Sequence, residues 1–109
     1  MDKTTNKIIT QFAKKLERKF DIDKIILFGS RARGDNFVNS DFDFVIISKD
    51  FKGIHFVDRI PKIIEQWDFP YDIEVLCYTP EEFEAKKNHS FIRRVLREGI
   101  VVHKKKQKN

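Results

Sequence analysis

One cysteine, Cys77, in a chain of 109 residues leaves no intrachain disulfide to form. Three prolines and four glycines mark out no linker, and neither an internal repeat nor a second core is visible. No apolar run approaches membrane-spanning length, and the opening Met1-Asp2-Lys3-Thr4 lacks the apolar stretch of a signal peptide. A cytoplasmic protein is therefore expected. The three histidines, His55, His89 and His103, are too far apart for metal-ligand spacing. The positive charge is also thinner than it looks. The chain carries +5, but four lysines crowd into Lys104–Lys108, and without them 18 basic residues face 17 acidic ones. A near-neutral body with a basic end gives no sign of a nucleic-acid-binding face.

What is present is a core. Hydrophobic residues make up 40% of the chain and eleven are Phe, enough for one compact domain. That domain is expected over residues 1–103, followed by a disordered basic tail, 104–109. Ile8, Ile9, Phe12, Leu16 and Phe20 recur at helical spacing, predicting a helix over 4–20 with Thr4 or Thr5 as its cap. Ile25-Ile26-Leu27-Phe28 is an unbroken apolar run, the pattern of a strand buried on both faces. Residues 41–47 alternate, with Asp41, Asp43, Val45 and Ile47 on one face and Phe42, Phe44 and Ile46 on the other. Helix is expected over 55–67, with Pro61 requiring a kink or a start nearby, and strand over 72–78. Thr79-Pro80-Glu81-Glu82 has the form of a capping box with Pro in the first turn. Phe91–Glu98 reads as a last helix ended by Gly99, and Ile100–Val102 as an edge strand. Cys77 and Trp67 read as packing residues.

Two short elements carry chemistry. Gly29-Ser30 follows the first strand and opens a short helix over 30–33. Free backbone N–H groups at such a turn favour phosphate, Gly allows close approach, and the Ser hydroxyl adds a donor. Taken alone, the turn is more often just a strand-to-helix connection capped by Ser. It is not a P-loop, because no Lys follows Gly34. Asp41-x-Asp43 sets two carboxylates on one strand face, their Cα atoms about 6.6 Å apart. On that face they repel, and a hard cation such as Mg²⁺ removes the conflict. Taken alone, this pair is more often a solvated strand end. Together, Gly-Ser and Asp-x-Asp at a ten-residue interval arise by chance in about one chain in a thousand of this length, and both sit on strand-like runs. Arg31 and Arg33 flank the turn; guanidinium suits phosphate oxygens, although arginines on a short helix are more often simply solvated. Of the two, Arg33 is the candidate ligand. Ser40 either orients the aspartates or caps the turn.

On these residues the chain resembles the nucleotidyltransferase superfamily of the DNA polymerase β type, and within it the minimal nucleotidyltransferases. "KIILFGSRARGDNFVNSDFDFVII", "IEVLCYTPEEF" and "REGIVVHK" all read like that family, and the likeness spans nearly the whole chain apart from the basic end. The resemblance implies an α/β (α+β) fold, a palm-like mixed or largely antiparallel sheet with helices on one face. It implies transfer of a nucleoside monophosphate from a nucleoside triphosphate. Gly29 and Ser30 match the phosphate-binding pair, with Arg33 beside them. Asp41 and Asp43 match the pair that binds two Mg²⁺ ions. The third carboxylate of the family is usually Asp on a neighbouring strand; here Glu74 stands at that position and Asp72, two residues earlier, competes for the role.

Larger relatives carry an added helical domain for the acceptor, and this chain has no residues for one. The resemblance therefore implies an acceptor site from elsewhere, a second copy, a partner protein or the acceptor itself, and points to a helical HEPN-type toxin encoded nearby whose tyrosine would receive AMP from ATP. Two other readings stand beside it. One is a binding module that neutralises its partner by contact, with a vestigial nucleotide site. The other is a nucleotide-adding enzyme acting on RNA, which the near-neutral body disfavours.

Overall fold

A computed structural model describes residues 1–106. Helix α1 (Lys3–Lys19) leads into β1 (Ile22–Phe28), the single-turn α2 (Ser30–Arg33) and β2 (Phe42–Ser48). A 3-10 turn (Lys49–Phe51) precedes α3 (Phe56–Ile64), then β3 (Ile73–Tyr78), α4 (Pro80–Lys86), α5 (Ser90–Glu98) and β4 (Ile100–Lys104). The four strands form one sheet in the order β3-β2-β1-β4. β1 runs antiparallel to both β2 and β4, and β2 pairs in parallel with β3.

The sheet is mixed, but its helices are not confined to one face. Ile25, Leu27, Phe42, Phe44, Ile46, Val75 and Cys77 pack with the apolar stripe of α1 and with Ile63 of α3. On the opposite face Ile26, Val45, Ile47 and Tyr78 pack with Phe83 of α4 and with Ile92 and Val95 of α5. The continuous apolar run of β1 requires this: neighbouring residues point to opposite faces, and each needs cover. Trp67 is a packing residue, its ring edge-on to Phe12 at 4.9 Å.

Several expected details change. Asp2, not Thr4 or Thr5, caps α1, accepting the Thr5 N–H at 2.7 Å. Asp carries a full negative charge at the positive end of the helix, and it takes the cap one turn ahead of the threonines. Pro61 lies inside α3, which ends three residues later. Gly99 does close α5, but with φ −77°, so handedness is not why it is glycine. A Cβ there would lie 2.5 Å from the Val95 carbonyl and 2.8 Å from Ile26. β4 extends to Lys104, into the run expected to be disordered, and the Lys105 N–H donates to the Asp23 carbonyl at 2.9 Å. The rest of that expected tail, 107–109, lies outside the described residues.

The capping box at α4 is formed as expected, and Glu82 also holds Arg59. Arg59, buried on α3, donates to both Glu82 oxygens at 2.5 and 3.0 Å and to the Cys77 carbonyl at 3.1 Å. The guanidinium holds the Glu82 carboxyl down at about 2.

Arg31 departs most from the sequence reading. It is not a solvated arginine on a short helix but one of the most deeply buried side chains, 2% exposed. Its guanidinium donates to the Ser40 carbonyl at 2.8 and 3.0 Å, to the Val38 carbonyl at 3.1 Å and to the Thr5 hydroxyl at 2.8 Å. It also lies over the Phe42 ring at 4.1 Å and the Tyr71 ring at 5.0 Å. One side chain thus fastens α1, α2 and the 34–41 loop together. Truncation would strip the buried oxygens of their donors, each costing about 1–3 kcal/mol. We predict that Arg31→Ala lowers the unfolding free energy by about 3 kcal/mol, read as a reduced urea midpoint. Hydrogen-exchange protection should be lost first at Ser40 and Phe42. Arg31→Lys should recover only a small part, since an ammonium cannot span these acceptors and stack between two rings.

Candidate functional site

The sheet's register builds the site. Across the three strands that meet at one end of the sheet, Phe28 of β1 is the partner of Asp43 of β2, and Asp43 is the partner of Glu74 of β3. Their side chains share the face covered by α4 and α5, because Asp43 alternates with Phe42 and Phe44, which point into the opposite core. Asp41 stands just before β2, at the same end, on the exposed side of the chain.

The Gly29-Ser30 turn closes over this row. Gly29 has φ +76°, and a Cβ built on it would lie 2.3 Å from Asp43 Oδ2 and 3.1 Å from its Cγ. The carboxylate therefore packs against the bare backbone of the turn, in space that only glycine leaves open. Ser30 begins α2, whose first N–H groups have no intrahelical acceptors. The turn and the Asp pair, ten residues apart in sequence, are neighbours in space.

The electrostatics follow from the crowding. The Asp43 carboxyl is pushed up to about 6. Burial is the leading cause, followed by the negative charge of Glu74, a hydrogen bond shared with Glu74, and the charge of Asp41. Arg33 partly offsets these. Each of these effects disfavours the charged form of Asp43, so its carboxyl takes up a proton more readily than an ordinary aspartate does. Asp72 sits ahead of β3 and contributes its backbone, its carbonyl accepting the Phe42 N–H at 2.9 Å. Glu74, not Asp72, is the acid that acts on Asp43.

Among the described residues, no three His, Cys, Asp or Glu side chains are drawn together as a ready-made metal cage. The donor set nevertheless fits Mg²⁺. It offers hard carboxylate oxygens from two adjacent strands and a loop, at a place where burial and then neighbouring negative charge raise the Asp43 carboxyl.

The remaining candidates divide. Arg33 is exposed, reaches Asp35 at 3.2 Å, and lines a cavity with Gly29. Ser40 caps its turn, its hydroxyl accepting the Phe37 N–H at 2.8 Å, so of its two expected roles it is the capping one that the geometry shows. Cys77 is buried, and burial raises its thiol to about 12, which leaves it inert at neutral pH. Sequence reasoning missed Phe91 and Arg94 of α5, which line the same cavity beside Gly29. No local signal marks them, since only the packing of α5 across β1 brings them there.

With this geometry in view, comparison with known proteins is informative. The family model described as "Nucleotidyltransferase domain" matches residues 9–104. A Methanocaldococcus jannaschii protein named "Putative protein adenylyltransferase" is 37% identical over 99 residues, 89% of this chain and 96% of that one. Among solved structures, a Sulfolobus solfataricus protein described as a "putative nucleotidyltransferase" superposes with TM-score 0.68 at 20% identity, covering 92% of this chain and 80% of that one. A toxin-antitoxin structure with AMP-PNP superposes with TM-score 0.58 at 20% identity, covering 89% of this chain and 73% of that one. At such identities the two structures speak to the fold, while the family match and the M. jannaschii relative speak to descent. This chain belongs to the nucleotidyltransferase domain family.

Proposed function

We propose that this protein transfers AMP from ATP to an acceptor hydroxyl on a partner protein, a tyrosine of a helical HEPN-type toxin, and so acts as the antitoxin of the pair. One observation carries the reading: Asp43, abreast of Glu74 and flanked by Asp41, packs directly on the Gly29 backbone. That contact sets a phosphate-binding turn against a cluster of metal-seeking acids. The name of the M. jannaschii relative supports adenylyl transfer to protein, and the toxin-antitoxin neighbour with AMP-PNP supports the nucleotide and the kind of partner.

Asp41, Asp43 and Glu74 are the residues that would hold Mg²⁺. Bound there, the metal supplies neutralisation of the triphosphate charge and of the oxygens that enter and leave. The chain's own part is mainly positioning. The backbone and hydroxyl at Gly29-Ser30 receive the β- and γ-phosphates, and Arg33 adds a positive charge at the rim. Glu74, on the edge strand and exposed, completes the acid cluster or takes the proton from the acceptor hydroxyl.

Incubation with Mg²⁺, labelled ATP and the protein encoded beside this one tests the proposal. We expect label on a tyrosine of that partner, and Asp43→Asn should reduce transfer by about 100-fold or more while leaving the chain folded. Full protection of the partner by Asp43→Asn would instead identify a pure binder. Label appearing on RNA and not on protein would favour the nucleotide-adding reading.

A second prediction concerns pH. With its carboxyl raised to about 6, folded Asp43 holds its proton more tightly than the unfolded chain does, near 3.8. Its contribution to stability is therefore full below about 4 and is lost as pH rises through about 6. The melting temperature of the metal-free protein should carry a downward component across this window. Asp43→Asn should remove that component, and saturating Mg²⁺ should reverse it. Mg²⁺ affinity, measured by calorimetry, should rise between pH 5 and 7, because the ion competes with the proton on Asp43.

A further inference from the structure

We propose that the cavity between the end of β1 and α5 seats the nucleobase of the incoming nucleotide, with the Phe91 ring as its stacking face. This rests on the nucleotidyl-transfer reading and adds to it the residues that hold the nucleoside.

Two cavities flank the row of acids, and one pair of rings divides them. Phe28 and Phe91 meet edge to face with centroids 5.7 Å apart, and both line each cavity. The first, about 190 Å³, opens on Gly29 and is walled by Phe28, Phe91 and Val95, with Arg33 and Arg94 among its charged lining residues. The second, about 420 Å³, is bounded by Ile60, Ile73, Val75 and Leu76, and its one charged lining residue is Glu74. A nucleoside triphosphate is a flat aromatic body attached to a polyanion. The first cavity matches it: apolar walls for the base, and at one side the phosphate-binding turn itself. Its charged lining, Arg33 and Arg94 against Glu98, is net positive and favours the anion, whereas the lone acid of the second cavity opposes it. Phe91 is 45% exposed, so its ring offers free area for stacking, while Phe28 behind it is held in the sheet. Arg94 pairs with Glu98 at 3.3 Å, which places a donor and an acceptor beside the cavity for the polar edge of the base.

The test separates base from phosphate. Affinities of the full chain for ATP and for inorganic tripolyphosphate are measured in Mg²⁺ without acceptor, for wild type, Phe91→Ala and Leu76→Ala. Base–aromatic stacking predicts that Phe91→Ala weakens ATP roughly tenfold and leaves tripolyphosphate unchanged. Leu76→Ala, which alters only the Glu74-side cavity, should change neither. Because Phe91 is nearly half exposed, its variant should melt within a few degrees of wild type, which is checked in parallel. The seat is overturned if Phe91→Ala leaves ATP affinity intact or weakens both ligands equally. It is also overturned if Leu76→Ala is the variant that loses ATP, or if wild type binds ATP no more tightly than tripolyphosphate. Wild type binding neither ligand would instead bring down the nucleotidyl-transfer reading, and the seat with it.

Discussion

The pairing of β2 with its two neighbours constrains everything at the working end of the sheet. β2 must lie antiparallel to β1 and parallel to β3 in one register for Phe28, Asp43 and Glu74 to stand abreast. A slip of one residue would turn Asp43 into the α1-side core and bring a phenylalanine to the carboxylate position. The hydrophobic cores prevent the slip. Phe42, Phe44 and Ile46 are needed under α1, and Val45 and Ile47 are needed under α4 and α5. Both faces of β2 are thus committed, and the two acids sit where the apolar cover stops. Adjacent strands lie about 4.8 Å apart, so acids on neighbouring strands in register cannot avoid each other. The cost of that repulsion is borne by the packing of the rest of the domain.

The ten-residue interval between Gly-Ser and Asp-x-Asp has a physical reason in the same frame. After β1 the chain makes one helical turn, crosses the end of the sheet and re-enters antiparallel as β2. Arg31, the first residue after the Gly-Ser pair, reaches back to the carbonyls of Val38 and Ser40, the last part of that crossing. The guanidinium thereby fixes the loop immediately before Asp41. A polar loop over a sheet end ordinarily remains mobile and carries a large ordering entropy. Here three carbonyl contacts and two aromatic faces meet that requirement with one side chain, and Asp41 is delivered beside Asp43 from a loop that is already set.

Features encoded within a few neighbouring residues were legible in the sequence. The apolar run of β1, the alternation of β2, the capping box of α4 and the Gly-Ser and Asp-x-Asp elements all express local rules. The apolar run even carried information that the family resemblance did not: a strand buried on both faces calls for helices on both faces, and α4 and α5 supply the second layer. Features decided by contacts between distant segments were not legible. Nothing local distinguishes Arg31, which is buried, from Arg33, which is exposed, two positions away on the same turn. Nothing near Gly99 reveals that Ile26 lies against its Cα. Asp72 and Glu74 share an alternation pattern, and only the parallel register with β2 gives the second of them Asp43 as its neighbour.

The charges left by this folding are sorted, and the sorting gives the site a direction. Negative groups gather on the Glu74 side, where β2 and β3 begin; Arg33 and Arg94 lie on the Gly29 side, with Glu98 beside them. Glycine is required at the boundary because the two regions touch there, Asp43 against the bare turn. A polyanion is drawn toward the arginines and repelled by the acids, so without a cation it stops short of Asp43. On the proposed function, Asp41, Asp43 and Glu74 would hold a divalent ion whose charge would offset their own toward an approaching polyanion. The raised Asp43 carboxyl reflects its burial first and the neighbouring negative charges of Glu74 and Asp41 after it. On the proposed function, a site arranged in this way would hold a nucleotide loosely without a metal, and metal and nucleotide would then each strengthen the binding of the other.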